Sequence, residues 1–521
     1  MVKGKLREPV SVALAVLIAL LLSVAYMVRS NGATPDSYEY MRGGTSLVGG
    51  QGYRSLTGQV QTVFPPAYPL LIGFTNLLTQ DPIAAGRYVS MAASIASVVL
   101  IFLLGRAAFS GVAGVSAAFL LALLPLRLQS SVMVLSESTF LALALLGLLL
   151  WVVSESHPWV GFLSGLSLGA AYLTRPEGFL IFAVCAVGVA ASWVRREKPL
   201  PSTAIRFTAM VIGFALISLP FWVHLRQHTG RWRLTGKADR NLAIASGRTA
   251  EVPFHELRCL DEDDREIVYP PTATSFRQHL YRVLLNLRTA SQMLGDMASL
   301  FLVACLGLGV AAMLGFHRSR RTAIYSLASI VGVLLLTVAI FFVEYRMLLL
   351  PLALLILFAA AARSAGGVPP RDGLRVYRKV ATLLLVLASL QFAAGACLLI
   401  AAPIGSPMDD VKPFLAAIQQ EPDATGPIIG NYREPRALAL ATDRDCLDLP
   451  WEPLPRVLRY AAHHHASFLL LRGEDHPELA SLAWDPVTTD QLRPLARVET
   501  GDGEERRVLQ LYRVHATERV E

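Results

Sequence analysis

Long apolar runs separated by short polar stretches dominate the chain. The first, "PVSVALAVLIALLLSVAYMV" (9–28), carries no charge, and others lie near 84–104, 109–126, 134–153, 159–174, 179–194, 205–224, 297–315, 323–343, 347–362 and 380–402. About 20 apolar residues in a helix cross a hydrocarbon core roughly 30 Å thick, so about eleven membrane-spanning helices are predicted. The third, fifth, sixth and tenth runs are short for that task. The prefix "MVKGKLR" resembles the basic start of a signal peptide, but no convincing small-residue cleavage pattern follows. The first run is therefore expected to be a retained anchor. The runs show no fixed repeat period, which argues against a solenoid.

Between the runs, the basic clusters fall in alternate loops. Lys3, Lys5 and Arg7, then Arg106, "RREK" (195–198), "HRSRR" (317–321) and "RDGLRVYRK" (371–379) all share one side if eleven spans are correct. Positive residues mark the cytoplasmic face, so the N-terminus is expected inside. The opposite face then receives the long loops 29–83 and 225–296 and everything from 403 to 521. The expected organisation is a mainly α, polytopic membrane domain (1–402) followed by a small extracytoplasmic α/β domain (403–521), with the C-terminus out. In that tail "PIIGNY", "ASFLLLRG" (466–473) and "RRVLQLYRV" (506–514) read as strands.

Composition agrees with the pattern. The 521 residues are 54% hydrophobic and 17% charged, against roughly 25% charged in soluble domains; the mean hydropathy is +0.48. The net charge of +8 is largely topological and sits beside anionic lipid, so no nucleic-acid partner is called for. Cys259 and Cys446 both belong to the outer side, but nothing in the sequence brings them together, and two free thiols are the default expectation. "HHH" (463–465) is a lone run of the kind that is usually solvated.

The same topology gathers polar groups at the outer face. "TPDSYEYMRGG" follows the first run, and a helix starting near Pro35 would align Asp36, Glu39 and Tyr40. Capping is one reading of Asp36 and Glu39. Pro65-Pro66 precedes an amphipathic stretch expected to lie along the interface. The turn "LLPLRLQSSVMVLSEST" puts Arg127 at the outer surface and Glu137 just inside the fourth run. A carboxylate at a helix centre costs about 2.5–3.5 kcal/mol, less near the interface, and usually signals a wet cavity or a basic partner. "YLTRPEG" delivers Arg175 and Glu177, "VEYRMLLLP" delivers Glu344, Tyr345 and Arg346, and the loop after the seventh run carries Arg231, Arg233, Lys237, Arg240 and Asn241. Each taken alone has an ordinary structural explanation, which for Glu137 is a pair with Arg127, and only for Glu137 is the functional reading favoured over it. Together, arginines suited to phosphate and carboxylates able to act as a base fit a site for an anionic lipid headgroup.

These stretches, in this order and with this sidedness, resemble the bacterial GT-C membrane glycosyltransferases of the protein-mannosyltransferase and aminoarabinose-transferase-like group. The resemblance covers the region to about residue 402. It implies transfer of a monosaccharide from a polyprenyl-phosphate carrier to a glycan, lipid or protein acceptor on the outer face of the cytoplasmic (inner) membrane. It further implies inverting displacement with Asp36 as base or acceptor-orienting residue, Glu137 as a second catalytic carboxylate, and Tyr40, Glu39, Arg175, Glu177, Lys237, Asn241 and Arg346 around the substrate. The sequence departs from the group where aminoarabinose-type relatives carry a phosphate-binding Lys, a position held here by Phe64. The cofactor stays open: a divalent metal is the one candidate, with Asp36 and Glu137 to hold it, since carboxylate oxygens suit hard cations. The competing expectation is a flippase or transporter of lipid or lipid-linked sugar, with Glu137 and the arginines lining its path.

Overall fold

The computed structural model describes residues 7–30, 32–194, 200–238, 241, 243–245, 254–264, 266–268, 276–297, 300–313, 318–340, 343–364, 371–402, 411–500 and 507–515. In chain order the helices begin with α1 (Arg7–Arg29), α2 (Pro35–Val48), α3 (Ala67–Thr79), α4 (Pro82–Ala108) and α5 (Gly111–Leu123). They continue with α6 (Pro125–Val132), α7 (Glu137–Val153), α8 (Val160–Tyr172), α9 (Glu177–Val194) and α10 (Leu200–Thr229). A hairpin of β1 (Arg258–Leu260) and β2 (Glu266–Val268) precedes α11 (Phe276–Met297), α12 (Leu300–Met313), α13 (Arg318–Ile340), α14 (Leu349–Ala361) and α15 (Arg371–Ala401). The tail holds α16 (Lys412–Gln419), β3 (Ile428–Ile429), α17 (Glu434–Ala441), β4 (Cys446–Leu447), α18 (Leu454–His463), β5 (Phe468–Arg472), α19 (Pro477–Trp484), β6 (Leu492–Thr500) and β7 (Arg507–Val514).

A helix occupies each of the eleven apolar segments, but their lengths differ. Among the described residues five are long and apolar enough to cross a membrane (Glu8–Arg29, Pro82–Ala108, Pro201–Thr229, Tyr345–Ser364, Val376–Ala401), or up to seven if each of two bent pairs is one span. One bent pair is α5 with α6, which turn by 61° at Leu124-Pro125, where proline ends the preceding helix. The protein is a multi-pass membrane protein. The basic loop 195–199 and Arg240 lie outside the described residues.

Contacts divide the chain into two units: Met1–Gly32, Thr62–Gly236 and Tyr281–Ile404 form one, and Ala33–Gln61, Lys237–Leu280 and Gly405–Glu521 the other. The boundary therefore differs from the single cut expected near residue 402, because most of each long loop joins the tail.

The apolar unit centres on α14, in which every residue from Leu349 to Ala361 except Leu355 is buried. Its short helix α8 is explained by close packing: Gly161, Gly165 and Gly169 recur every fourth residue, and a Cβ on any of them would strike α10. Small residues at this spacing let two helix backbones approach where lipid supplies no hydrophobic drive. Arg127 is wholly buried rather than at the surface. It donates to Ser23 Oγ (3.2 Å), Ser94 Oγ (3.1 Å) and the Ala122 carbonyl (3.0 Å), and so ties α6 to α1, α4 and the end of α5. Helix α3 follows Pro65-Pro66 as expected and leaves Leu71, Phe74, Leu77 and Leu78 exposed on one side.

The second unit is built on a five-stranded sheet of order β4-β3-β5-β7-β6. β3 pairs in parallel with β4 and β5, while β7 pairs antiparallel with β5 and β6. Ile428–Ile429 and Phe468–Leu471 are buried, as befits central strands covered on both faces. All three strands expected in the tail are present; β4 and β6 are additions. The first loop extends this layer, since the Cys446 amide donates to the Leu56 carbonyl at 2.8 Å.

Candidate functional site

Four of the expected site residues meet in the apolar unit. Glu137 opens α7, where helix-terminal N–H groups favour a carboxylate. Arg175 sits in the turn between α8 and α9, which Pro176 breaks, and Glu177 opens α9. Arg346 lies in the single 3-10 turn Tyr345–Leu348 before α14. Arg175 Nη1 donates to Glu137 Oε1 at 2.5 Å and its Nη2 to Glu177 Oε1 at 3.1 Å. Arg346 Nε lies 3.8 Å from the same Glu137 oxygen and 2.6 Å from Glu344 Oε2. Glu137 therefore stands between two guanidiniums, with its side chain only 3% exposed.

Beside these charges is an apolar wall. Phe140, Leu334, Val338, Met347 and Leu350 line the same recess. The second carboxylate oxygen of Glu137 is buried with no hydrogen-bond partner among the described residues. A recess with guanidiniums at one end and hydrocarbon along the other suits an amphiphile with an anionic head. Glu137 is not paired with Arg127, an alternative the sequence left open, and its two cationic neighbours make it a poor metal ligand. Among the described residues no three His, Cys, Asp or Glu side chains come together to hold a metal.

The other five expected residues lie in the second unit. Helix α2 begins at Pro35 with Thr34 as N-cap, and the cap is completed by Ser37, whose Oγ accepts the Thr34 amide at 2.8 Å. Asp36 and Glu39 are thus not the capping pair. Asp36 is half-buried in the first turn. Tyr40 is buried, and burial, then the proximity of Tyr40 and Glu39, push the Tyr53 phenol well above its ordinary range. Lys237 is half-buried, and its carbonyl accepts the Asn241 amide at 2.8 Å, closing one helical turn.

Glu39 is engaged on both oxygens. Its Oε2 accepts the Leu56 amide and Gln61 Nε2, each at 3.1 Å, and its Oε1 lies 3.5 Å from Arg436 Nη1. Arg436 Nη2 donates to Asp448 Oδ1 at 2.9 Å, and the other Asp448 oxygen pairs with Arg258 of β1. Burial opposes the charge on Arg436, but Asp448 and Glu39 outweigh it and hold the guanidinium above its ordinary value. Arg436 and Asp448 are absent from the expected site. The sequence carries no sign of them, because the tail reads as a domain of its own.

Residues 64–224 match the model of the family described as dolichyl-phosphate-mannose-protein mannosyltransferase. Among solved structures, ArnT from Cupriavidus metallidurans bound to undecaprenyl phosphate aligns with a TM-score of 0.62 over 96% of this chain and 97% of its own, at 11% identity. The fold is GT-C. The archaeal oligosaccharyltransferase AglB from Archaeoglobus fulgidus, in complex with an inhibitory peptide and a dolichol-phosphate, shares the GT-C fold. It has a TM-score of 0.57 and 12% identity over 90% of this chain and 69% of that one. The arabinofuranosyltransferase AftD from Mycobacteria aligns with 97% of this chain and 42% of its own, with a TM-score of 0.55 and 17% identity. These GT-C neighbours are glycosyltransferases. A search of curated proteins by sequence finds no match. The family match includes Glu137, Arg175 and Glu177 but neither Asp36 nor Arg346.

Proposed function

We propose that this protein transfers a monosaccharide from a polyprenyl-phosphate carrier to an acceptor at the outer face of the cytoplasmic membrane. The observation that carries the reading is the recess of Glu137, Arg175 and Arg346 against an apolar wall. Arg175 and Arg346 take the donor phosphate, and the first prenyl carbons lie along Leu334, Val338 and Leu350. Glu137 holds the two guanidiniums apart and oriented, and is not itself the base. The fold shared with ArnT and AglB, whose solved complexes contain undecaprenyl phosphate and a dolichol-phosphate, supports the donor class.

In the reaction an acceptor hydroxyl or amine attacks the anomeric carbon, and its proton passes to Asp36. The bond from that carbon to the phosphate oxygen breaks, its electron pair leaves with polyprenyl phosphate, and the configuration inverts. The arginines stabilise the charge developing on the leaving phosphate, the term that usually contributes most to such catalysis. A general base at Asp36 is worth typically 10²–10⁴-fold.

The test is turnover in detergent, where no sidedness exists and transport produces no signal. The purified protein is incubated with undecaprenyl-phosphate-linked hexoses and pentoses and with envelope glycans, lipids and proteins as acceptors. Release of undecaprenyl phosphate coupled to sugar transfer is expected, and Asp36→Asn should abolish it while leaving undecaprenyl phosphate binding intact. No turnover across the panel would favour a carrier instead. Wild-type rates in Asp36→Asn would remove the base assignment.

A further inference from the structure

Helix α2 carries the proposed base, and its attachment within the second unit is unusual in one respect. The contacts straddle Asp36. Arg436 Nη1 reaches the Pro35 carbonyl, the residue before Asp36, at 3.5 Å and Glu39 Oε1, one turn after it, also at 3.5 Å. A single guanidinium therefore touches α2 on both sides of Asp36. Its remaining arm is held by Asp448 at 2.9 Å, directly after β4. A rigid, planar fork fixes direction as well as distance, which a lysine on the same helix could not do.

The other ends of this chain of charges are also anchored. Glu39 is gripped from the loop side by the Leu56 amide and Gln61. Asp448 shares its carboxylate with Arg258, whose Nε is 3.5 Å from Glu266 of the same hairpin. The Arg258 carbonyl accepts the Trp451 amide at 2.6 Å, and Arg456 donates to the carbonyls of Leu260 (3.2 Å) and Asp261 (2.6 Å). Both extracytoplasmic loops are thus pinned to one tail carboxylate. Arg436 and Glu39 are both buried, so neither charge is left to water. Removing one partner of such a pair leaves the other exposed to its full desolvation cost.

We infer that Arg436, held by Asp448, is a positioning residue for Asp36: the tail fixes the angle and height of the helix that presents the base. This inference rests on the assignment of Asp36 above. Its physical basis is that a displacement of about 1 Å at a reacting group can cost on the order of 10²-fold in rate. Stability alone would not require the fork to span the residue in question.

The experiment compares Arg436→Gln, Arg436→Lys and Asp36→Asn in the full-length protein in detergent, with kcat expressed per folded molecule. Binding is read with undecaprenyl phosphate. Arg436→Gln should lower kcat at least ten-fold and leave the undecaprenyl phosphate affinity within two-fold. Arg436→Lys, which restores the charge without the fork, should recover part of that loss. Hydrogen exchange of the Lys variant provides a second measurement if Arg436→Gln does not fold: amides 36–48 should exchange at least five-fold faster, while those of β5 stay unchanged. A normal kcat per folded molecule in both Arg436 variants, or unaltered exchange in α2, overturns the inference even if Asp36→Asn is inactive. Full activity in Asp36→Asn instead overturns the base assignment, and this inference with it.

Discussion

Removing Arg175 should expose how the recess holds its charges. Arg175→Ala takes the 2.5 Å partner from Glu137, whose side chain is 3% exposed and whose second oxygen already lacks a hydrogen bond. Breaking a buried pair in this way costs roughly 3–5 kcal/mol. Arg346 Nε remains 3.8 Å from the same oxygen, so the expected loss is at the lower end, about 3 kcal/mol. Glu137→Gln alone leaves Arg175 its Glu177 partner at 3.1 Å and should cost about 1 kcal/mol, the usual worth of one hydrogen bond. The double variant removes the stranded charge and should lose about 2 kcal/mol where additive losses would give about 4, a coupling of about 2 kcal/mol, within the range found for contacting residues. The assay is thermal unfolding in detergent followed by intrinsic fluorescence. At about 2 °C per kcal/mol for a large unit, Arg175→Ala should lower the midpoint by about 6 °C, and adding Glu137→Gln should return about 2 °C of it. Strictly additive losses would show that the pair does not support the recess. Arg346→Ala is the contrast: its side chain is 31% exposed and also paired with Glu344, so little stability is lost. Undecaprenyl phosphate affinity should still fall about 10–100-fold, the worth of a charge-assisted hydrogen bond.

Glu137, Glu177 and Glu344 outnumber Arg175 and Arg346 in contact with them, so a donor phosphate must compete for the Arg346 guanidinium. Glu344→Gln should therefore tighten undecaprenyl phosphate binding several-fold in an equilibrium binding assay, and weaker binding would contradict the phosphate role of Arg346. A second test concerns pH. Burial pushes the Asp475 carboxyl up to about 6, against the lowering effect of its bond from the Arg472 amide. The folded state then binds this proton more tightly than the unfolded chain, so the stability contributed by protonation is present at low pH and lost as pH rises through about 6. Asp475→Asn should flatten the fall in midpoint between about pH 4 and 6; an unchanged slope would place the titration elsewhere.

The apolar architecture was legible because a membrane span has little choice of sequence: each of eleven runs became a helix. Their lengths were less readable. The thirteen-residue α8 looked too short for its run until its glycines were seen against α10, a contact that depends on a partner helix. "YLTRPEG" and "EYRMLLLP" gave away Arg175 and Arg346 because both charges sit beside a proline or a helix start at the end of an apolar run. The capping reading of Asp36 and Glu39 failed by a small shift: Thr34 and Ser37 make the cap, which leaves Glu39 to pair elsewhere. That partner, Arg436, lies 397 residues away. No local pattern marks it, and the tail has enough strands and helices to look self-sufficient.

The composition of the second unit also fixes an order of events. Helix α2 is synthesised well ahead of Asp448 and the central strand β5. Closing a loop of that length is slow, and the contacts that reward it come only at the end. Until the tail has been made and has joined it, α2 has its cap and its neighbouring loop but not the guanidinium that straddles Asp36. A chain interrupted before residue 436 would keep every apolar helix and still lack that clamp. The maturation of this unit is thus timed by the arrival of Arg436 and Asp448, not by the insertion of the apolar helices.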